Sequence, residues 1–396
     1  MQPVYLDNNA TTRTDPAVVE AMLPCFTECF GNPSSGYAFG SAAAAAVRSA
    51  RKRVQALVGA AHDHEIVFTS GGTESDNTAI LSALDVMAGR DEVVVSAVEH
   101  PAVLTLCRHL ESDRGVKVRV IPVDSRGRLD VDAFQAVLSA RTAIVSLMWA
   151  NNETGVIFPV AELAEMTRTV GALFHTDAVQ AVGKLPVDLK ETRIDMLSLS
   201  AHKLHGPKGV GALYVRRGTP FAPSVLGGRQ ERARRAGTEN VPGIVGLGKA
   251  AECAIDTVSA EGPRIARLRD RLEQGLQQRI DGTHVNGDTT ARLPNTCNIA
   301  FEGVESEALV ALLDRAGIAC SSGSACTSGS TEPSHVLKAM AVPPQFLRGA
   351  VRFSLSHDTG EADIARVLAV MPEIVGRLRK PMPSQPFNQP SGLVHA

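Results

Sequence analysis

Five short apolar runs in this 396-residue chain each deliver polar or ionisable residues at or just beyond their ends. The run at 66–69 leads into Ser70-Gly71-Gly72-Thr73-Glu74, the run at 93–96 into Glu99-His100-Pro101, and the run at 143–149 into Asn151-Asn152-Glu153. The run at 173–177 closes on His175-Thr176-Asp177, and the run at 196–200 passes into Ala201-His202-Lys203. A hydrophobic core has no use for such ends. If the runs are neighbouring strands, their ends share one rim, and one shared site is the economical reading.

The residue types suggest which chemistry. Gly71 and Gly72 would let backbone N–H groups approach a phosphate at a helix N-terminus, although many strand-to-helix turns are glycine-rich for backbone reasons alone. Asp177 suits a carboxylate facing a pyridinium nitrogen, or equally a cap for a following helix. A lysine at the end of a buried strand is costly as a free cation, and imine formation removes that cost; a surface lysine in a Gly/Pro loop is the alternative. Asp177 and Lys203 stand about one βαβ step apart. Together they point to pyridoxal phosphate (PLP) held as a Schiff base on Lys203, with the acid keeping the ring protonated as an electron sink.

These residues need a scaffold. Strand-like runs at 66–69, 93–96, 118–123, 143–149, 173–177, 196–200 and 212–215 alternate with helical patterns. Among the helices are 42–58, with Ser41 as N-cap and Gly59 as stop, and 161–170, ended by Gly171. That alternation predicts an α/β fold with a mainly parallel seven-stranded sheet covered on both faces, its ligand beyond the carboxyl ends of the strands. From about residue 256 the pattern changes to a helix at 262–279, strands at 298–301 and 351–355, and helices at 305–316 and 360–378, which reads as a smaller α+β domain. The expected division is 14–257 for the large domain, 1–13 with 258–379 for the small one, and a disordered Pro-rich tail at 380–396.

Forty Lys and Arg against 42 Asp and Glu leave a formal charge of −2, so no global field draws the chain to nucleic acid or an anionic membrane. With no signal peptide and no membrane-spanning run, a cytoplasmic location is expected. Of seven cysteines, Cys107 and Cys253 read as small buried hydrophobes, Cys25 and Cys29 as helix packing, and no resident metal is expected.

The segments AVEHPAV, MWANNETG, FHTDAVQAVGK, SLSAHKLHGPKGVGALYVRRG, RRAGTEN, SSGSACTSGSTEPSHV and VRFSLS resemble, in order, the motifs of the PLP-dependent cysteine desulfurases, and most closely the nitrogen-fixation (NifS-like) type. The resemblance spans the chain up to its Pro-rich tail. It implies PLP fold-type I, with Lys203 as the Schiff-base lysine, Asp177 at the pyridine nitrogen, Gln180 at the phenolic oxygen and His100 stacked on the ring. It further implies Thr73, Ser200 and His202 as phosphate ligands, Thr238 as the phosphate contact supplied across a homodimer, and Asn152, Arg352 and, less directly, Asn9 at the substrate carboxylate. Arg352 alternates with Val351 and Phe353, so a solvent-facing position is its alternative. His175 and His205 are expected to be structural.

Cys326 lies in the small, polar segment 321–330, whose composition predicts an exposed thiol. In the resembled family such a thiolate takes sulfur from L-cysteine as a persulfide, leaves L-alanine, and hands the sulfur to an iron–sulfur scaffold protein. Cys320 reads as the buried end of a strand. Two departures from the family pattern, Tyr37 for His and Ala201 for Gly, bear on positioning and not on reaction class. The rival readings are a housekeeping desulfurase, an aminotransferase or selenocysteine lyase of the same fold, and a catalytically silent thiol carrier.

Overall fold

The structure is a computed structural model that describes residues 3–322 and 332–380. Its strands are β1 (Val4–Tyr5), β2 (Ile66–Thr69), β3 (Glu92–Ser96), β4 (Lys117–Ile121), β5 (Thr142–Ser146), β6 (Leu173–Asp177), β7 (Met196–Ser200), β8 (Gly211–Val215), β9 (Thr283–Val285), β10 (Thr296–Phe301), β11 (Ile318–Ala319), β12 (Ser321–Ser322) and β13 (Ala350–Ser354). Seven of them form one sheet in the order β2-β8-β7-β6-β5-β3-β4, with only β8 antiparallel to its neighbours. These are the seven runs read from the sequence, with β4 and β5 ending two and three residues earlier than the apolar pattern suggested.

Side chains alternate across this sheet with the period of two that a strand imposes. Ile66 and Phe68 of β2, Val94 of β3 and Val145 of β5 enter the larger core, while Val67, Val93, Val95 and Ile144 enter the core on the other face. Helices Gly72–Val86 and Pro101–Arg114 cover that second face through Ile80, Val103 and Leu110. A third core lies around the antiparallel sheet β12-β13-β10-β9, where Ile299, Phe301, Val351 and Phe353 meet the terminal helix Glu361–Leu378. Val4 and Leu6 join this third core, and β1 pairs in parallel with β11.

Two helices depart from expectation. The first spans Ala38–Leu57, so Ser41 lies inside it and Tyr37 is the N-cap. Gly40 explains the early start: a Cβ there would lie 2.3 Å from the carbonyl oxygen of Ser35, so only glycine lets the entering loop close on the helix. Gly59 follows the end with φ +61°. The helix expected at 262–279 is the second half of one 39-residue helix, Val241–Arg279, capped by the Asn240 side chain and carrying Pro263 inside. Its first half holds Gly243, Gly246 and Gly248. Packing demands the latter two: a Cβ on Gly246 would sit 2.7 Å from Met22 Sδ, and one on Gly248 2.5 Å from Ala50 Cα. The helix is about 58 Å long and runs from the large core to the third core through Leu268, Leu272 and Leu276. Both regions are thereby fixed to one rod.

Candidate active site

The carboxyl ends of β2, β5, β6 and β7 and the segment after β3 converge on Lys203. Lys203 sits in a single turn of 3-10 helix, Ala201–Lys203, directly after β7. Its Nζ donates to the carbonyl oxygens of Asn9 at 2.6 Å and Ala10 at 2.7 Å. Gln180 Nε2 donates to the same Asn9 carbonyl at 2.9 Å, while its Oε1 accepts from Lys184 Nζ at 2.6 Å. Asn9 is itself buried: its Nδ2 reaches Asn152 O and Thr296 Oγ1, and its Oδ1 accepts from Asn295. The N-terminal segment is thus built into the wall of the site.

Asp177 closes β6, and its Oδ1 accepts from Val179 N at 2.9 Å. A turn follows, not an α-helix, so the carboxylate does not serve as a helix cap. Burial pushes its pKa up, and the nearby His100 and Lys203 pull it part of the way back. His100 caps helix Pro101–Arg114, its Nδ1 accepting from Ala102 N at 3.1 Å, so a neutral ring carries its proton on Nε2. Burial lowers its pKa, against the opposing pull of Asp177.

Further carboxyls lie behind these two. Asp76 is held well above the ordinary range by burial and by the charge of Asp177. Glu99, fully buried, is raised to about 8 by the same desolvation; its Oε1 accepts from Ser96 Oγ at 2.5 Å and Met148 N at 3.1 Å. His175 bridges Ser146 and Ser198 on the flanking strands with no exposure, and burial holds its pKa down at about 3. It is a neutral strand-to-strand tie.

The turn after β2 presents the first backbone N–H groups of helix Gly72–Val86. A Cβ on Gly72 would meet Val179 Cγ2 at 2.7 Å, and one on Gly71 would stand 3.7 Å from Ser200 Oγ, so this cradle lies against the β6 and β7 ends. Thr73 is exposed on the first turn, and Ser200 is buried beside the glycines. His202 turns its Nδ1 toward Thr11 Oγ1 at 3.1 Å, and burial lowers its pKa to about 4. Thr238 is exposed in a surface pocket beside Ser70 and Arg235. An amine donor, a buried acid and a helix N-terminus in this order suit the imine, pyridinium and phosphate groups of PLP.

Arg352 points inward. It is 2% exposed, donating to Asn152 O at 3.0 Å and to Asp7 Oδ1 at 2.6 Å, which rules out the solvent-facing alternative. Ser321 of β12 pairs with Arg352 of β13, so the strand that precedes residues 323–331 is laddered to the strand that carries this guanidinium. Cys326 lies outside the described residues, as does the chain beyond residue 380. Where the chain is described again, Ser334 Oγ donates to Glu153 Oε2 at 2.6 Å and His335 Nε2 to the Glu99 carbonyl at 3.0 Å. Burial lifts Glu153 to about 7. Cys320, joining β11 to β12, is buried, and its thiol is pushed up to about 12, which makes it a poor nucleophile. Cys253 is only partly buried, contrary to expectation, and lines a cavity of about 430 Å³ with Lys184, Lys203 and His205.

The family model for class-V aminotransferases matches residues 4–367. Over 383 residues the chain is 64% identical to a cysteine desulfurase of Gluconacetobacter diazotrophicus, covering 97% of this chain and 96% of the relative. The chain belongs to the cysteine desulfurases of the class-V aminotransferase family. Another relative, the cysteine desulfurase NifS of Azotobacter vinelandii, is 56% identical over 98% of this chain and 97% of its own length. Among solved structures a NifS-like protein superposes with a TM-score of 0.89 at 37% identity, covering 95% of this chain and all of the other. These desulfurases are PLP-dependent, and the residues around Lys203 fit that cofactor.

Sequence reasoning placed Glu99 and Glu153 on the rim but missed Lys184, Asp7 and the contact of Ser334 with Glu153 as parts of this desulfurase site. Lys184 and Ser334 stood inside quoted motifs, which was the available signal. Asp7 stood in none of the quoted segments, because its placement depends on strands remote in sequence.

Proposed function

We propose that this cysteine desulfurase takes the sulfur of L-cysteine onto Cys326 and passes it to an iron–sulfur scaffold protein in nitrogenase maturation. The pairing of β12 with the Arg352 strand carries the reading. It tethers the cysteine-bearing segment beside the group suited to the substrate carboxylate, which an aminotransferase has no need of. Identity with the A. vinelandii NifS supports the nitrogen-fixation role.

PLP bound at Lys203 supplies an electron sink that loosens the bonds at the substrate's α- and β-carbons. Asp177 holds the ring nitrogen protonated, Gln180 and His100 orient the ring, and Thr73, Ser200 and His202 hold the phosphate. Arg352, Asn152 and Asn9 bind the substrate carboxylate, and the Lys203 amine moves the α-proton. The Cys326 thiolate attacks the substrate sulfur, the Cβ–S bond breaks, and protons return to the carbon fragment. One thiol and one cysteine become one persulfide and one alanine, so atoms and electrons balance.

Thr238 is proposed to reach the phosphate of the other subunit in a homodimer. Exposed Leu23, Phe26, Phe30, Phe39 and Leu226 offer the apolar surface such a dimer would cover. Among the described residues no helix is long and apolar enough to cross a membrane; a cytoplasmic site of action is proposed.

The test is Cys326→Ser. Persulfide and alanine formation should vanish while the cofactor's visible absorbance remains; full activity in that variant refutes the assignment. Sulfur transfer to purified scaffold proteins then separates the nitrogen-fixation role from a housekeeping one.

A further inference from the structure

The geometry points to a second site, for a divalent transition-metal ion of the zinc class, formed by His205, His357 and Asp358. Their ligand atoms all lie within 4.8 Å of one another among the described residues. His205 comes from the turn two residues after Lys203, and His357 and Asp358 from the chain just after β13, which carries Arg352. None of the three has a task in the desulfurase reaction.

His205 is set as a ligand. Its Nδ1 lies 3.0 Å from Arg13 O, and a carbonyl can only accept, so the proton is on Nδ1 and the lone pair on Nε2. Its backbone is held at φ +62°, an unfavourable region for a non-glycine residue, by its N–H to Thr12 Oγ1 at 2.8 Å and its carbonyl to Asp15 N at 3.0 Å.

The facing turn is equally fixed. Arg264 donates to His357 O at 2.8 Å and Thr359 O at 2.9 Å. The two imidazoles stand 4.0 Å apart between centroids, tilted by 34°, and His357 Nε2 lies 3.4 Å from Asp358 Oδ1. Four-coordinate zinc with nitrogen ligands at about 2.0–2.1 Å places its ligands about 3.3 Å from each other. The cavity of about 430 Å³ that His205 and His357 line gives room for a water as fourth ligand and for entry. Two histidines and a carboxylate with an open position form a zinc-type donor set. An ion there would staple the Lys203 turn to the end of the Arg352 strand.

The experiment uses the full-length holoenzyme carrying Cys326→Ser, which removes the loop thiol as a competing ligand. Equilibrium dialysis against Zn²⁺ should retain one ion per chain, and Co²⁺ should give the visible absorption of a four-coordinate N/O site. His357→Gln and Asp358→Asn should each weaken binding by more than about tenfold. Zn²⁺ should raise the thermal midpoint of the parent and not of His357→Gln. His205→Asn tolerates the left-handed backbone and gives a further variant. No ion retained, or one retained equally after His357→Gln and Asp358→Asn, overturns the proposal; the second result would send the metal to another cluster, such as Cys25 and Cys29.

Discussion

Replacing Glu99 with glutamine tests the electrostatics of the rim quantitatively. Glu99 has no exposure, its Oε1 is used by Ser96 and Met148, and no hydrogen bond reaches its Oε2 among the described residues. Desolvation lifts the carboxyl from an ordinary 4.5 to about 8. Between those values the folded protein holds a proton that the unfolded chain releases, so stability falls as pH rises through the window and the loss is complete above the folded pKa. The slope is about 1.4 kcal/mol per pH unit, so from about pH 6 to about pH 8 this one group removes about 2–3 kcal/mol. Glutamine keeps an oxygen acceptor for Ser96 and Met148 and does not titrate. Urea unfolding of parent and Glu99→Gln across that range should show their stability difference moving by about 2–3 kcal/mol in favour of the variant at high pH. A difference that stays constant with pH would mean that the folded carboxyl titrates normally, and the account of the buried rim would fail.

Arg352→Lys keeps a charge but loses the planar fork; kcat/KM for L-cysteine should fall about 10–100-fold, mainly through KM, with cofactor absorbance unchanged. An unaltered KM would detach Arg352 from the substrate carboxylate. Lys184→Met removes the donor that fixes which end of the Gln180 amide faces inward, so the pH midpoint of the cofactor's absorbance change should shift by about one unit and return with Lys184→Arg. A midpoint unmoved in the methionine variant would show that Gln180 is oriented by other contacts.

The large sheet was legible because its strands carry apolar residues on both faces and are bounded by turn residues, as Val93, Val94 and Val95 of β3 and Ile66, Val67 and Phe68 of β2 illustrate. Lys203, Asp177 and His100 could be grouped because parallel strands bring their carboxyl ends to one edge. The long helix was less legible, since Gly246 and Gly248 lower helix propensity locally while answering a packing demand from Met22 and Ala50, which lie far away in sequence. The inward turn of Arg352 was equally hidden: period-two alternation gives two faces, but which one is buried depends on Asp7 and Asn152. Glu99 and Lys184 owe their altered proton affinity to burial by several elements at once, a property no local pattern encodes.

The two fixed ends around the segment 323–331 set a leash. Ser322 is pinned in β12, and Ser334 is latched to Glu153. The two anchors, one on the strand that pairs with the Arg352 strand and one on Glu153 beyond β5, tie the chain on both sides of that stretch to the walls of the site.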